Sequence, residues 1–422
     1  MKISENNLYK LIYTLIFTPL AVRFFTDNFG MTYAIMPIFD IGAIILLIFA
    51  YCLTRKRESR VHILEIWLFI FVFAGVTSII VNDGTSLSNL FYSGRPYFRM
   101  IAAMIITAIV FKLSEFEKLF KYMEGLLYIN VIIMTFQFTI QGLRQDIIGG
   151  TFGNNQGVNA IQNILFVFVF CVTIEFYFKK LISRRKLIIN TIAVLYVAVL
   201  AEINVVIFEV VIITVLLVLL NDSSIRKVPI KALLFIPIGV IAILVALYLF
   251  MKFNPDRVFL LSFKNILEYL GFNSGSTGVY KISRVKVFSQ LGNLFFKNDM
   301  IGWIFGYGLG NCSTHSVFYD LHQELQYTYF SSSNVFLETG CLGVFANLGV
   351  LITGLILSVK GKKCITDIQT KAWLNISYVM TFIMIMMFFY NTTLRDTYTA
   401  FFAGTILAIP YIISMKNKNS EN

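Results

Sequence analysis

Apolar runs long enough to cross a bilayer recur along almost the whole chain. They fall at residues 9–25, 32–53, 61–81, 96–112, 122–142, 158–178, 187–203, 205–220, 229–251, 333–359, 372–390 and 397–415. A helix needs roughly 20 apolar residues to cross the hydrocarbon, and lipid offers no partner for stray backbone N–H and C=O groups. The pattern therefore predicts an all-α, polytopic integral membrane protein of about twelve helices, with both termini on one side. One interval breaks the rhythm. Residues 252–332 form the single soluble-sized piece, so the chain divides into a helical part at 1–251 (about nine helices), a large loop at 252–332, and about three helices with a short tail at 333–422. Within the loop, 279–296 has helical spacing, 302–311 is a Gly-rich turn, and 312–334 is polar and aromatic. Loops this long are functional or disordered, and this one is too aromatic for a solvated linker, which predicts a packed cap. No internal repeat of the inverted-transporter kind is visible.

Composition agrees with the pattern. Hydrophobic residues make up 57% and charged ones 14% of the 422 residues, against about 25% charged in soluble domains. The net charge of +12 would suit nucleic acid, but its distribution assigns it elsewhere. Segments 54–60, 112–121, 179–186, 224–231 and 360–363, with Lys371 and both ends, hold 23 of the 35 basic residues. By the positive-inside rule that face is cytoplasmic and the large loop lies outside; nucleic acid is not an expected partner. The N-terminus MKISENNLYK lacks a small-residue cleavage site, so no cleavable signal peptide is predicted. The cysteines at 52, 171, 312, 341 and 364 are scattered, which argues against a disulfide framework or zinc spacing. With three histidines and no D-x-D pair, no metal and no cofactor are expected.

The remaining 12 basic residues reverse the usual preference, with seven arginines: Arg23, Arg95, Arg99, Arg144, Arg257, Arg284 and Arg395. A guanidinium fork matches phosphate or carboxylate oxygens in pairs, whereas lysine is a point charge. Arg95 and Arg99 stand four apart in SGRPYFRM (93–100). Gly94-Arg95-Pro96 reads as a helix start, with Pro in the first turn, so free N–H groups and the helix dipole would join both side chains in an anion site at headgroup depth. Snorkelling to lipid phosphates is the plainer alternative. Arg284 lies in SRVKVFSQ, on a stretch with helical spacing.

Acids at membrane depth are costly and mark function or a paired neighbour. Asp40, Glu202, Glu209 and Glu338 qualify: Glu202 near an outer turn, Glu338 in the first turns of the helix after the loop, Asp40 deeper, where a functional role and a structural partnership with an arginine or the backbone are both open. Glu65 and Glu175 read as interfacial. His315 and His322 are seven apart, hence on one face if helical, with Asp320 and Glu324 beside His322; either imidazole could accept a proton from a hydroxyl. GYGLG (306–310) lacks a βαβ context and reads as a tight turn, not a dinucleotide fingerprint.

Several stretches together resemble the Wzy-type O-antigen and capsular polysaccharide polymerases and the related O-antigen ligases. They are GGTFGNNQGVNA (149–160), and, in order, RVKVFSQL (284–291), WIFGYGLG (303–310) and SNVFLETGCLG (333–343). The resemblance implies a GT-C-like fold in the bacterial inner membrane with a late periplasmic or extracellular loop. It implies a metal-independent glycosyltransferase that moves a glycan from undecaprenyl diphosphate to a hydroxyl of a second lipid-linked oligosaccharide. A chain-length regulator and a flippase of the same pathway would be its partners. Where ligases carry His, this chain has Ser333, which favours the polymerase.

On that reading Arg284, His315, His322 and Glu338 are catalytic candidates. Arg95, Arg99, Arg144, Arg257, Arg395, Asn155, Glu202, Ser333 and Asn334 are candidates for binding diphosphate or glycan. Arg95, Arg99 and Arg284 would surround one outward cavity. An O-antigen ligase, a lipid-linked glycan flippase or transporter, and a non-catalytic scaffold are the alternatives. A transporter predicts repeat symmetry and has no need of the cap; a scaffold leaves the outer arginine bias unexplained.

Overall fold

The computed structural model describes residues 5–54, 62–82, 85–155, 157–221 and 282–414. The predicted span at 229–251, Arg257 and the first part of the large loop lie outside these residues. The described chain is all-helical. Eight helices precede the gap: α1 (Glu5–Phe29), α2 (Pro37–Thr54), α3 (His62–Val81), α4 (Leu87–Val110), α5 (Leu113–Thr139), α6 (Val158–Phe178), α7 (Arg184–Leu200) and α8 (Asn204–Leu220). After it come three short helices, α9 (Val287–Leu291), α10 (Met300–Phe305) and α11 (Val317–His322). Then follow α12 (Ser331–Cys364), α13 (Ile368–Tyr390) and α14 (Ala400–Leu407).

Seven of these, α1, α2, α3, α5, α6, α12 and α13, are long and apolar enough to cross a membrane. α4 is not among them because it carries Arg95, Pro96 and Arg99. Burial separates centre from rim: the apolar stretch of α6 is 83% buried and that of α13 72%, against 33% for α2 and α3. What α2 leaves uncovered is apolar. Ile38, Ile41, Ile44, Ile45 and Ile48 are all exposed at helical spacing, and α3 adds Ile66, Phe69, Phe73 and Ile80. Faces of this kind have hydrocarbon as their natural solvent. The chain is thus a multi-pass membrane protein.

α12 and α13 form an antiparallel pair, α3 lies along α12, α2 lies along α4, and α14 packs on α4. Residues 282–330 build a second apolar cluster around Val287, Leu291, Phe296, Cys312 and Tyr327, closed by Phe336 and Leu337 of α12. The described part of the predicted cap is therefore packed. Its helix is shorter than the spacing over 279–296 suggested: α9 spans Val287–Leu291 and passes into a π-helical turn at Gly292–Phe296. Arg284 consequently lies in a bend before the helix.

α4 corrects a second expectation. It begins not at Gly94-Arg95-Pro96 but seven residues earlier, where Ser86 Oγ accepts from the Asn89 N–H at 3.0 Å. A serine hydroxyl satisfies a donor that a helix start otherwise leaves open, and Pro96 is accommodated inside the helix, as membrane helices allow. Arg95 and Arg99 therefore have no free helix-start amides beside them; any anion they hold is held by guanidinium groups.

Candidate functional site

Tyr92, Arg95 and Arg99 project from one side of α4, because residues three, four and seven apart share a helix face; Ser93 stands on the neighbouring face. α2 supplies their counter-charge. Arg99 grips Asp40 with two prongs, Nε to Oδ1 at 2.6 Å and Nη2 to Oδ2 at 2.8 Å. Arg95 donates from Nη1 to the same Oδ2 at 2.8 Å and from Nε to the Phe91 carbonyl at 2.7 Å. Asp40 and Arg99 are buried, 5% and 6% exposed. Burying such charges is costly unless they are paired and hydrogen-bonded, and the two-pronged geometry meets that condition. The Phe91 ring lies 4.4 Å from the Arg95 Cζ and adds a cation–π contact.

The third guanidinium arrives from the turn after α13. Arg99 Nη1 donates to the Arg395 carbonyl at 2.8 Å, which fixes that turn against α4. The Arg395 side chain pairs through Nη2 with Glu338 Oε2 of α12 at 3.3 Å, while Ser93 donates to Glu338 Oε1 at 2.9 Å. Three arginines thus meet two carboxylates, a formal balance of 3 − 2 = +1. Arg395 Nη1 is buried and has no hydrogen-bond partner among the described residues. A buried donor of this kind calls for an explanation, and an oxygen of an anionic ligand would supply one.

The Gly-rich turn holds this arrangement in place. Tyr307 N–H donates to the Leu337 carbonyl at 2.7 Å. Leu309 N–H donates to Ser78 Oγ at 3.1 Å and Asn82 to the Gly306 carbonyl at 2.9 Å. The turn is thereby wedged between α3 and α12 at the level of Glu338. α12 itself breaks at Gly340, where φ is +61° and a Cβ would stand 2.3 Å from the Ile304 carbonyl oxygen. GYGLG is the tight turn its sequence suggested.

The two histidines part company. His315 precedes α11 and His322 ends it, so they do not share a helix face as their spacing suggested; the helix between them is too short. His315 lies against Tyr92 with ring centroids 4.0 Å apart, and the Arg95 Cζ is 5.8 Å from the same Tyr92 ring. His315 therefore borders the arginine cluster. His322 is packed among Phe295 and Phe318, at 4.9 and 4.7 Å.

Arg284 is buried, its guanidinium 4.1 Å from the Tyr390 ring and 5.4 Å from Phe330. That is the junction of the cap with the ends of α12 and α13. Ser333 and Asn334 serve the same junction: Ser333 Oγ donates to the Phe330 carbonyl at 3.0 Å and Asn334 Nδ2 to the same carbonyl at 2.9 Å. Asn155 belongs to a separate polar group, donating at 2.7 Å to Asp27, which also accepts from Tyr33 at 2.5 Å and lies 3.7 Å from Arg23. Arg23 in turn covers the Tyr398 ring at 4.9 Å.

Arg144 folds back on its own loop, donating to the Phe138 and Leu143 carbonyls at 2.7 and 2.8 Å. Glu202 is buried in the turn between α7 and α8, with φ +53°. Glu175, expected to be a plain interfacial acid, is buried, with its oxygens taken by Asn221 at 2.6 Å and Asn375 at 2.7 Å. It lies on the α6 face that the rest of the bundle covers.

Tyr92, Ser93, Asp27 and Tyr33 join these polar groups without having been singled out from the sequence. For Tyr92 a signal existed, since it stands three residues before Arg95 and so on its helix face; for Asp27 none did. Among the described residues, no three His, Cys, Asp or Glu side chains come close enough to hold a metal ion. No family model matches the chain, and no curated protein is similar to it.

Proposed function

We propose that the protein is a repeat-unit polymerase, a glycosyltransferase that joins undecaprenyl-diphosphate-linked oligosaccharides into a surface polysaccharide such as O-antigen or capsule. One observation carries the reading: Arg95, Arg99 and Arg395 come together from two distant segments around Asp40 and Glu338. That cluster has one positive charge in excess and a buried donor with no partner among the described residues. On this reading the large loop and the cluster face away from the cytoplasm, both termini face it, and about twelve helices span the bacterial inner membrane. Both substrates are lipid-borne, and the donor is already activated by its diphosphate.

The three arginines divide the work. Arg99 spends Nε, Nη1 and Nη2 on Asp40 and the Arg395 carbonyl, so it is a positioning residue. Arg95 and Arg395 face the diphosphate. The hydroxyl oxygen of the acceptor glycan attacks the anomeric carbon of the donor. The bond from that carbon to the diphosphate oxygen breaks, its electron pair stays with the diphosphate, and the hydroxyl proton passes to a base. Arg95 and Arg395 stabilise the charge that grows on the leaving group; one such donor is worth about 10²–10³ in rate. His315, which borders the cluster through Tyr92, takes the part of that base, and Glu338 holds Arg395 at its angle.

Glycan length in a strain lacking the chain and complemented with variants tests the proposal. Arg95→Ala and Arg395→Ala at wild-type protein levels are expected to leave single repeat units on the carrier and abolish long chains, with Arg95→Lys also impaired because it loses the fork. Unligated free polymer would instead indicate a ligase, and intermediates facing the cytosol a flippase. Normal chain length in both alanine variants refutes the assignment.

A further inference from the structure

A cavity of about 360 Å³ opens at the end of the bundle where α12 finishes. Leu219, Leu220 and Leu374 give it apolar lining, and Lys362, Lys363 and Tyr378 give it polar lining. Lys362 lies 22 residues after the break at Gly340, which itself stands two residues from Glu338, so the cavity is about 33 Å along the unbroken part of the helix at 1.5 Å per residue. A hydrocarbon core is about 30 Å thick. The two sites therefore belong to opposite interfaces of the same membrane.

The cavity is short of negative charge. Lys362 is acted on by Lys179 and Lys371, with Glu175 as the carboxylate among them. Adding Lys363, four cations meet one anion among the described residues, 4 − 1 = +3. Glu175 is already engaged by Asn221, by Asn375 and, at 3.9 Å, by Lys179. Lys362 is pinned at the mouth by its hydrogen bond to the Leu220 carbonyl, and Asn375, held by Glu175, also lines the cavity.

We propose that this cavity seats an anionic glycerophospholipid. Its phosphate lies between Lys362, Lys363 and the Tyr378 hydroxyl, and its acyl chains run along Leu219, Leu220 and Leu374. Charge selects the phosphate, since basic clusters at a membrane surface attract anionic lipid. The leucines select a lipid over a free anion, because only a chain-bearing ligand removes their surface from water. The site is independent of the reaction proposed above.

Full-length protein in mild detergent, exposed in turn to dioleoylphosphatidylglycerol, dioleoylphosphatidylcholine and inorganic phosphate, provides the test by native mass spectrometry. The expected result is one phosphatidylglycerol retained per chain at least tenfold more strongly than phosphatidylcholine, with no protection by phosphate. Lys362→Gln with Lys363→Gln should lower that retention at least tenfold, while Lys360→Gln, on the same helix end but not lining the cavity, leaves it unchanged. Lys362→Arg with Lys363→Arg should keep the lipid. Equal retention of the two lipids by the wild-type protein, competition by phosphate alone, or an equal loss in Lys360→Gln would each overturn the site. The lipid comparison on the wild-type chain decides the matter even if the glutamine variant does not fold.

Discussion

Asp40→Ala is the perturbation that the arginine cluster is most sensitive to. The native carboxylate takes three charged hydrogen bonds, at 2.6, 2.8 and 2.8 Å, from two side chains of one helix face. Without it, Arg95 and Arg99 remain 14% and 6% exposed, four residues apart and with like charge. Removing one partner of a buried pair costs about 3–5 kcal/mol, and with two guanidiniums orphaned the upper end, about 5 kcal/mol, is expected. Arg99→Ala leaves Asp40 still paired with Arg95 and should cost less, about 3 kcal/mol. Whole-protein stability is only about 5–15 kcal/mol, so both changes are measurable.

Unfolding in mixed detergent micelles, followed by tryptophan fluorescence, would rank them. The decisive measurement is the double variant Asp40→Ala with Arg99→Met, which removes the stranded charge along with its partner. It should be more stable than Asp40→Ala alone, with a coupling of about 1–3 kcal/mol. An Asp40→Ala effect within about 0.5 kcal/mol, the range of an ordinary surface change, or strict additivity in the double variant, would refute the claim that these groups form one buried network.

Three other outcomes are expected. Arg395→Ala should lower the rate of chain elongation about 10²–10³-fold while shifting thermal stability less than Arg99→Ala, because Arg395 makes one 3.3 Å ion pair where Arg99 makes three shorter bonds; reaction rate and melting point on the same preparations check this. Gly340→Ala should reduce folded yield sharply, since its Cβ would sit 2.3 Å from a carbonyl oxygen at φ +61°, whereas Gly125→Ala, with nothing within 4 Å, should be neutral; size-exclusion profiles distinguish them. Burial pushes the Cys312 thiol well above its ordinary pKa, so the folded state keeps that proton as pH rises while the unfolded state loses it. Maleimide labelling of Cys312 should therefore stay slow through pH 9 in the native protein and become fast in dodecyl sulfate, as thiolate chemistry requires. Loss of the Cys312 proton from the unfolded chain should also make stability fall, not rise, on the alkaline side.

How far the site can be read from the chain alone varies residue by residue. Arg95 and Arg99 are legible because a helix places positions four apart on one face, whichever residue begins it. The beginning itself was misread: Gly-Arg-Pro carries a start signal, but Ser86 offers a hydroxyl eight residues before Gly94 and the helix continues through Pro96. His315 and His322 fail for a related reason, since α11 covers only six residues and cannot carry a seven-residue periodicity. Arg284 stands out in its loop motif, yet its aromatic surroundings, Tyr390 and Phe330, come from two other parts of the chain.

Hydropathy alone set the class of molecule and its seven long apolar helices among the described residues, because membrane partitioning acts on each segment separately. Local periodicity likewise set which side chains share a helix face. Tertiary packing decided the rest: that Asp40 closes on arginines 55 and 59 residues away, and that a turn 296 residues beyond Arg99 delivers Arg395 to the same place. Such pairings depend on which helices lie side by side, and a charge in the sequence carries no record of its distant neighbour. The physical reason is range: a hydrogen bond is made over 3 Å of space, whereas a motif is read along the chain.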